Sequence, residues 1–170
     1  LTGEYPDWWE GKRFAKPVRC WAAGVTGEST RDNPQRLLLG VPSAIGTGAI
    51  PKKALANVRW SRGAVDSADT VYVKHKSGDL SMLAFKSYER GRQKWQGESL
   101  DFIWFDEEPP ADIYAEVLAR VTATKGIIFI TFTPLMGASE VVRRFLQEES
   151  DARAVVQMEI SEAEHIAPEE

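Results

Sequence analysis

The sequence predicts an α/β domain with a mainly parallel central sheet and an added β-hairpin. Residues 102–105 and 127–133 form two continuous runs of apolar and β-branched side chains, which is typical of strands covered on both faces. A helical pattern over residues 111–124 separates the two runs, and a second helical pattern covers residues 140–149. Strands that alternate with helices across short connections pair in parallel through right-handed crossovers.

The first half of the chain predicts one strand and one helix before the hairpin. Pro17 precedes a strand over residues 18–23, and a loop follows over residues 24–29. A helix over residues 30–39 ends at Gly40, because glycine suits the left-handed end of a helix. Pro34 fits near the first turn of this helix.

Alternating apolar residues and turn-forming residues indicate the other elements. The hairpin consists of residues 70–75 and 80–85 on either side of Ser77-Gly78-Asp79. The remaining expectations, in chain order, are the tail of a helix and a turn over 1–14, an exposed loop over 41–51, a short helix over 52–59 and a last strand over 154–160.

The two later helices show apolar stripes and suitable ends. Ile113, Val117 and Val121 line one face of the helix over 111–124. The helix over 140–149 is preceded by Ser139 as its N-cap. The residues expected to face inward from the second helix are Val141, Val142, Phe145 and Leu146.

The composition of the chain excludes several classes of protein. The 170 residues carry a net charge of -4 and a pI of about 5.4, which argues against a wholly basic nucleic-acid module. The single cysteine, Cys20, excludes an internal disulfide, and two distant histidines, His75 and His165, form no metal cluster. No apolar run reaches transmembrane length, so we expect no membrane partner. Because the chain opens on Leu1, we interpret residues 1–170 as one domain fragment truncated at both ends.

Three acidic residues follow the first apolar strand directly. Asp106, Glu107 and Glu108 lie between Phe105 and two prolines that end the strand, at the strand end where ligands bind in parallel sheets. The pattern F-I-W-F-D-E-E resembles the Walker B element of P-loop ATPases. That resemblance implies that Asp106 holds Mg²⁺ through water and that Glu107 is the general base. The alternative is a solvated acidic turn.

Threonines end the second apolar strand. Thr131 and Thr133 follow one βα unit after the acidic strand, so both strand ends point to the same sheet edge. Hydroxyls at that edge would contact the γ-phosphate or hold the water network beside Asp106. The alternative is that threonine simply favours strand geometry and caps turns.

Several stretches together resemble the ATPase domain of the large terminase subunit of tailed bacteriophages and prophages. They are F-I-W-F-D-E-E-P-P, T-F-T-P-L-M-G, K-S-Y-E-R-G-R-Q-K-W-Q-G, L-T-G-E-Y-P-D-W-W-E-G-K-R-F and P-V-R-C-W-A-A-G-V-T. The resemblance covers nearly the whole chain and implies a P-loop-ATPase-like three-layer domain. It also implies an ATP- and Mg²⁺-dependent motor that moves double-stranded viral DNA into the procapsid.

The same resemblance implies partners and a location. The family motor forms a ring on the portal protein, acts with a small terminase subunit, and works in the host bacterial cytoplasm. Its Thr-x-Thr-Pro turn couples hydrolysis to DNA movement, which places Thr131 and Thr133 in that role. A nuclease domain normally follows the ATPase domain.

The phosphate-binding loop of the family is missing from the sequence. Residues 22–29, A-A-G-V-T-G-E-S, stand between a strand and a helix, but Ala22 replaces the first glycine and Glu28 the lysine of G-x-x-x-x-G-K-[ST]. A carboxylate there would repel phosphate. We therefore interpret residues 24–29 as an ordinary βα turn and expect residues 1–170 alone to hydrolyse no ATP.

A basic stretch precedes the acidic strand. It contains Arg90, Arg92 and Lys94, and ring ATPases supply an arginine to the neighbouring subunit's nucleotide. The resemblance implies such a trans-acting arginine near Arg90 or Arg92. A solvated basic loop is the alternative.

Two other classes of function remain beside the packaging ATPase. One is another P-loop ATPase, such as a helicase-like motor, which would show clustered arginines on a second domain. The other is a non-catalytic interaction module whose strand resembles Walker B by chance. Sequence on either side of this chain would separate the three.

Overall fold

The computed structural model describes residues 1–133, 137 and 139–157 of the chain. These residues fall into two units, residues 1–133 and residues 134–170. The first unit contains a six-stranded sheet in the order β2-β3-β4-β1-β5-β6. The strands are β1 Arg19–Gly24, β2 Leu55–Trp60, β3 Ala68–Lys74, β4 Leu80–Ser87, β5 Phe102–Asp106 and β6 Ile127–Thr131.

The sheet is mixed. Strands β4, β1, β5 and β6 run parallel to one another, whereas β2, β3 and β4 pair antiparallel. The α/β class, the parallel core and the hairpin of β3 and β4 are therefore confirmed. The hairpin is part of the same sheet rather than an addition beside it, because β4 also pairs with β1.

Alternating side chains of the central strand β1 define the two faces of the sheet. Cys20 and Ala22 pack in a core with Leu39 on one face. On the other face, the ring of Trp21 lies 5.7 Å from that of Trp95, between ring centroids. Arg120 Nε donates to the Trp95 carbonyl at 2.7 Å. Helical segments therefore cover both faces, with the sheet as the middle layer.

A continuous helical segment follows β1. It comprises α1 (Gly27–Thr30), a π-helical turn (Arg31–Gln35) and α2 (Arg36–Leu39). It begins three residues before the predicted start at residue 30, because Thr26 and Ser29 form a capping box. Pro34 lies inside the π turn rather than in the first turn. Proline has no N–H to donate to the preceding turn, and the wider π turn accommodates its ring.

Two predictions in the first half are wrong. Residues 52–59 are not a helix: a 3₁₀ turn over Lys52–Ala54 leads into β2. This edge strand is specified by its pairing with β3, as in Val58 opposite Val71, which local sequence does not show. Residues 1–14 contain no helix. The chain start instead binds the hairpin, since Ser81 Oγ donates to the Leu1 carbonyl at 2.7 Å.

The elements around the acidic strand agree closely with prediction. Strand β5 ends at Asp106, α3 spans Ala111–Thr124, and β6 ends at Thr131. The expectation of strands buried on both faces is wrong. Ile103 and Phe105 are buried, but the other face of β5 is half-buried, and Phe129 on β6 is 48% exposed. Strand β6 is the edge of the sheet and has one neighbouring strand among the described residues.

The second unit contains α4, Glu140–Leu146. Ser139 Oγ accepts from the Val142 N–H at 3.2 Å, as its N-cap assignment predicted. Val141 and Val142 are buried, but Leu146 is exposed and ends the helix three residues before the predicted end at residue 149. Residues 154–157 form no strand, and the rest of the predicted strand over 154–160 lies outside the described residues. No helix that the structure describes is long and apolar enough to cross a membrane.

Candidate functional site

One edge of the sheet collects the carboxyl ends of four parallel strands. Gly24 ends β1, Ser87 ends β4, Asp106 ends β5 and Thr131 ends β6. The register places Gly24 beside Ser87 and Asp106 beside Thr131. Ligands of parallel sheets bind at this edge, so the predicted acidic and threonine residues share a plausible binding region.

The Asp106 carboxylate is fixed by a short chain of hydrogen bonds. Thr131 Oγ1 donates to Asp106 Oδ1 at 3.2 Å. The indole Nε1 of Trp104 donates to the same threonine oxygen at 2.8 Å. Because the indole can only donate, the threonine hydroxyl is free to donate its own proton, and the carboxylate at 3.2 Å is a nearer acceptor than the Phe105 carbonyl at 3.5 Å. Thr131 is thus brought to Asp106 as the sequence predicted, and it orients that carboxylate.

Glu107 has an unusual backbone conformation. Its φ of 67° lies in the left-handed region, which a residue with a long side chain rarely adopts. Its N–H donates to the Thr131 carbonyl at 2.8 Å, which extends the pairing of β5 with β6 past Asp106. The side chain is exposed, so the carboxylate is open to solvent at the sheet edge.

The acidic residues suit Mg²⁺ only in part. No group of three or more His, Cys, Asp or Glu side chains converges within residues 1–133, 137 and 139–157 to enclose a metal. Mg²⁺ commonly binds one or two carboxylates and takes its other ligands from substrate phosphates and water. Asp106, with one oxygen fixed by Thr131, fits that role of a single protein ligand.

The helix N-terminus after β1 is occupied by groups of the chain itself. Thr26 Oγ1 accepts from the Ser29 N–H at 3.0 Å, and Glu89 Oε1 accepts from the Gly27 N–H at 2.7 Å. A carboxylate therefore sits where a phosphate-binding loop would hold phosphate. This geometry supports the interpretation of residues 24–29 as an ordinary βα turn.

The two candidate arginines have different surroundings. Arg92 Nη2 lies 3.1 Å from Glu116 Oε2 on α3, and hydrogen bonds from Arg120 and Arg92 hold the pKa of Glu116 below its usual value. Arg90 is exposed and ends the 3₁₀ turn Tyr88–Arg90 at the sheet edge. The basic stretch is therefore tied to α3 through Arg92, while Arg90 stays open to solvent.

The comparisons with known proteins give one consistent result. A family model described as "Terminase large subunit, T4likevirus-type, N-terminal" matches residues 24–170. The chain belongs to this terminase large-subunit family. It is 40% identical over 176 aligned residues to the large terminase subunit of Salmonella phage P22, and 37% identical over 90 residues to that of Enterobacteria phage LP7.

The terminase match covers part of the relatives. It includes 99% of this chain but 35% of the P22 protein, and 53% of this chain but 19% of the LP7 protein. The chain thus spans about a third or less of the relatives it matches. No solved structure matches the chain, and the P-loop-like classification of the terminase sheet stays a prediction.

The other predicted positions of this terminase chain are less informative. Glu108 is half-buried beside Pro109, and Thr133 is exposed two residues beyond β6. Residues 134–136, which complete the Thr-x-Thr-Pro stretch, lie outside the described residues. The roles assigned to Thr133 and Glu107 therefore stay predictions.

Three residues near the site were missed by sequence reasoning. Trp104 was counted as a core residue, although its indole N–H binds the threonine beside Asp106. Tyr88 belonged to a polar segment without a pattern, and Glu116 to the polar face of the predicted helix over 111–124. The one available signal was an aromatic residue at the end of a predicted strand, since a buried tyrosine or tryptophan needs a partner for its polar atom.

Proposed function

We propose that this chain is part of the ATPase domain of a large terminase subunit, which couples ATP hydrolysis to movement of viral DNA into the procapsid. Asp106 is the Mg²⁺ ligand and Glu107 the general base. Family membership supports the packaging role, and the sheet edge supports the assignment of residues. The proposed partners are double-stranded DNA, the portal protein, the small terminase subunit and further copies of the large subunit in a ring, all in the host bacterial cytoplasm.

The observation that carries this proposal is the pair of adjacent carboxylates with different surroundings. Asp106 is half-buried and bonded to Thr131 at 3.2 Å. Glu107 is exposed and turned by its left-handed backbone. A metal ligand needs a fixed orientation, whereas a general base needs access to water.

The chemistry divides between bound groups and the chain. Bound Mg²⁺ would neutralise charge on the phosphate oxygens of ATP. Thr131 and Trp104 hold the Asp106 carboxylate towards the open edge, where it would hold Mg²⁺. Glu107 accepts the proton of the attacking water from its exposed position. The phosphate-binding loop is to be supplied by sequence other than residues 24–29.

Arg90 is the better candidate of the two for an arginine that acts on a neighbouring subunit. Arg92 Nη2 lies 3.1 Å from Glu116 Oε2, so Arg92 would have to leave this ion pair before it could contact a neighbouring subunit. Arg90 lies on the exposed end of its turn at the same sheet edge as Asp106. The proposed ring therefore uses Arg90 in trans.

The test uses a full-length large terminase subunit that contains this sequence. Glu107→Gln should keep Mg-ATP binding within a few-fold and reduce kcat by roughly 10²–10⁴-fold, the usual contribution of a general base. Glu108→Gln is the matched control and should keep its activity. Loss of hydrolysis in the Glu108 variant with normal hydrolysis in the Glu107 variant would place the base one residue later.

A further inference from the structure

The left-handed backbone of Glu107 needs something to hold it. Two other non-glycine residues among those described have positive φ: Asp66 in a loop and Lys125 at the end of α3. Those positions are common for such a conformation, because turns and helix ends favour it. Glu107 directly follows strand β5, and its N–H still pairs with β6, so its conformation is imposed by neighbouring groups.

The hydroxyl of Tyr88 supplies one of these groups. Its oxygen lies 2.9 Å from the Glu107 carbonyl oxygen and 3.0 Å from the Asp106 carbonyl oxygen, and its single proton is shared between these two acceptors. On the amino side of residue 107, the Glu107 N–H donates to the Thr131 carbonyl. Both peptide groups of Glu107 are thereby fixed, one by strand β6 and one by a single side chain.

Tyr88 is itself held rigidly. It is 7% exposed, and its ring lies 6.0 Å from that of Trp95 and 6.0 Å from that of Phe105, between centroids. Burial raises the pKa of Tyr88, and the charges of Asp106 and Glu107 raise it further. Carbonyl oxygens can only accept, so the hydroxyl is the donor in this contact.

The turn that begins with Tyr88 is fixed at further points. The Glu89 N–H donates to the Val25 carbonyl at 3.1 Å, and the Glu89 carboxylate accepts from the Gly27 N–H. Arg90 follows directly at the exposed end of the turn. One rigid turn thus joins the helix after β1, the exposed Arg90 and the backbone of Glu107.

We propose that Tyr88 is a positioning residue for Glu107: its hydroxyl keeps the backbone of residue 107 left-handed, so that the carboxylate points to the open sheet edge. The inference rests on the proposed role of Glu107 as general base. Tyr88 touches no substrate and acts through the main chain.

The experiment removes the hydroxyl alone. Tyr88→Phe in the full-length large subunit keeps the ring between Trp95 and Phe105. The matched control is Tyr72→Phe on β3, which lies on a strand outside the four that form the site edge. We expect Tyr88→Phe to lower kcat by about 10-fold or more while KM for Mg-ATP changes by less than about twofold. The control should keep both constants.

A double variant separates positioning from a structural role. In the Glu107→Gln background, Tyr88→Phe should cause no further loss of kcat, because residues that act through one another are not additive. An equal fold-loss in both backgrounds would overturn the proposal, and so would wild-type kcat in Tyr88→Phe. Normal hydrolysis by Glu107→Gln alone would instead refute the proposed base, so the two failures are distinguishable.

Discussion

Replacing Thr131 by valine tests whether the hydroxyl beside Asp106 serves the metal. Valine has nearly the same shape, so Thr131→Val removes the acceptor of the Trp104 N–H and the donor to Asp106 without opening a cavity. We expect the variant to fold, to bind Mg²⁺ more weakly, and to recover activity when Mg²⁺ is raised.

Two magnitudes follow from the contacts. The variant leaves the Trp104 N–H without its acceptor, and an unpaired buried polar group costs about 1–3 kcal/mol. Because Trp104 is only half-buried, we expect the unfolding free energy to fall by an amount near the lower limit of this range. Such a loss lowers Tm by about 2–4 °C in a domain of this size. Loss of a group that orients a metal ligand typically weakens metal binding by about 10- to 100-fold.

The assay is ATP hydrolysis by the full-length large subunit as a function of free Mg²⁺ at saturating ATP. The Mg²⁺ concentration at half-maximal rate should rise by about 10- to 100-fold in Thr131→Val. Thr70→Val on β3, whose hydroxyl donates to the Asp69 carboxylate at 2.9 Å away from this edge, is the control and should keep the wild-type value. A lowered Tm with an unchanged Mg²⁺ midpoint would show that the Thr131 hydroxyl is purely structural and would refute the reasoning.

Three further outcomes are expected. Residues 1–170 alone should show no micromolar binding of Mg-ATP by calorimetry, because the Gly27 N–H at the helix start already donates to the Glu89 carboxylate. Micromolar binding of Mg-ATP would show that residues 24–29 act as a phosphate-binding loop. Rings of Arg90→Ala subunits should lose hydrolysis and regain some of it when mixed with Glu107→Gln subunits, whereas unmixed rings of Arg92→Ala subunits should keep most of their hydrolysis; equal behaviour of both arginines would refute the choice of Arg90. Burial raises the pKa of the Cys20 thiol to about 12, so iodoacetamide at pH 8 should alkylate it only after unfolding, and rapid labelling of the native chain would contradict that burial.

Elements with a strong local pattern were predictable from sequence. Helix α3 has the predicted bounds, and β5 and the hairpin lie within one or two residues of theirs. The helix and the hairpin have apolar residues at the spacing that their geometry requires, and β5 is a short continuous apolar run. The proximity of Thr131 to Asp106 also followed, because parallel strands joined by one helix end at the same edge.

Features that depend on distant contacts were not predictable. Strand β2 has weak alternation and becomes a strand by pairing with β3. Trp95 stands among basic and polar residues, yet it is fully buried against Trp21 and Phe105. The bond from Tyr88 to Glu107 joins residues 19 positions apart. None of these contacts has a local signature, because each is decided by the packing of the finished sheet.

The central position of β1 has a consequence for how the chain folds. The strand is made early, but its neighbours come late: the Val18 N–H binds Ser81, 63 residues onward, and the Arg19 N–H binds Asp101, 82 residues onward. Strands β3 and β4 need only a short turn to pair. Long-range pairing is slow. During refolding we therefore expect the backbone amides of Val71 and Val73 to become protected from pulsed hydrogen exchange before those of Trp21 and Ala22. Simultaneous protection of all four amides would contradict this order. During synthesis, β1 therefore has no partner until β4 has been made and keeps one edge open until β5 follows, and this interval is when the chain is most exposed to aggregation.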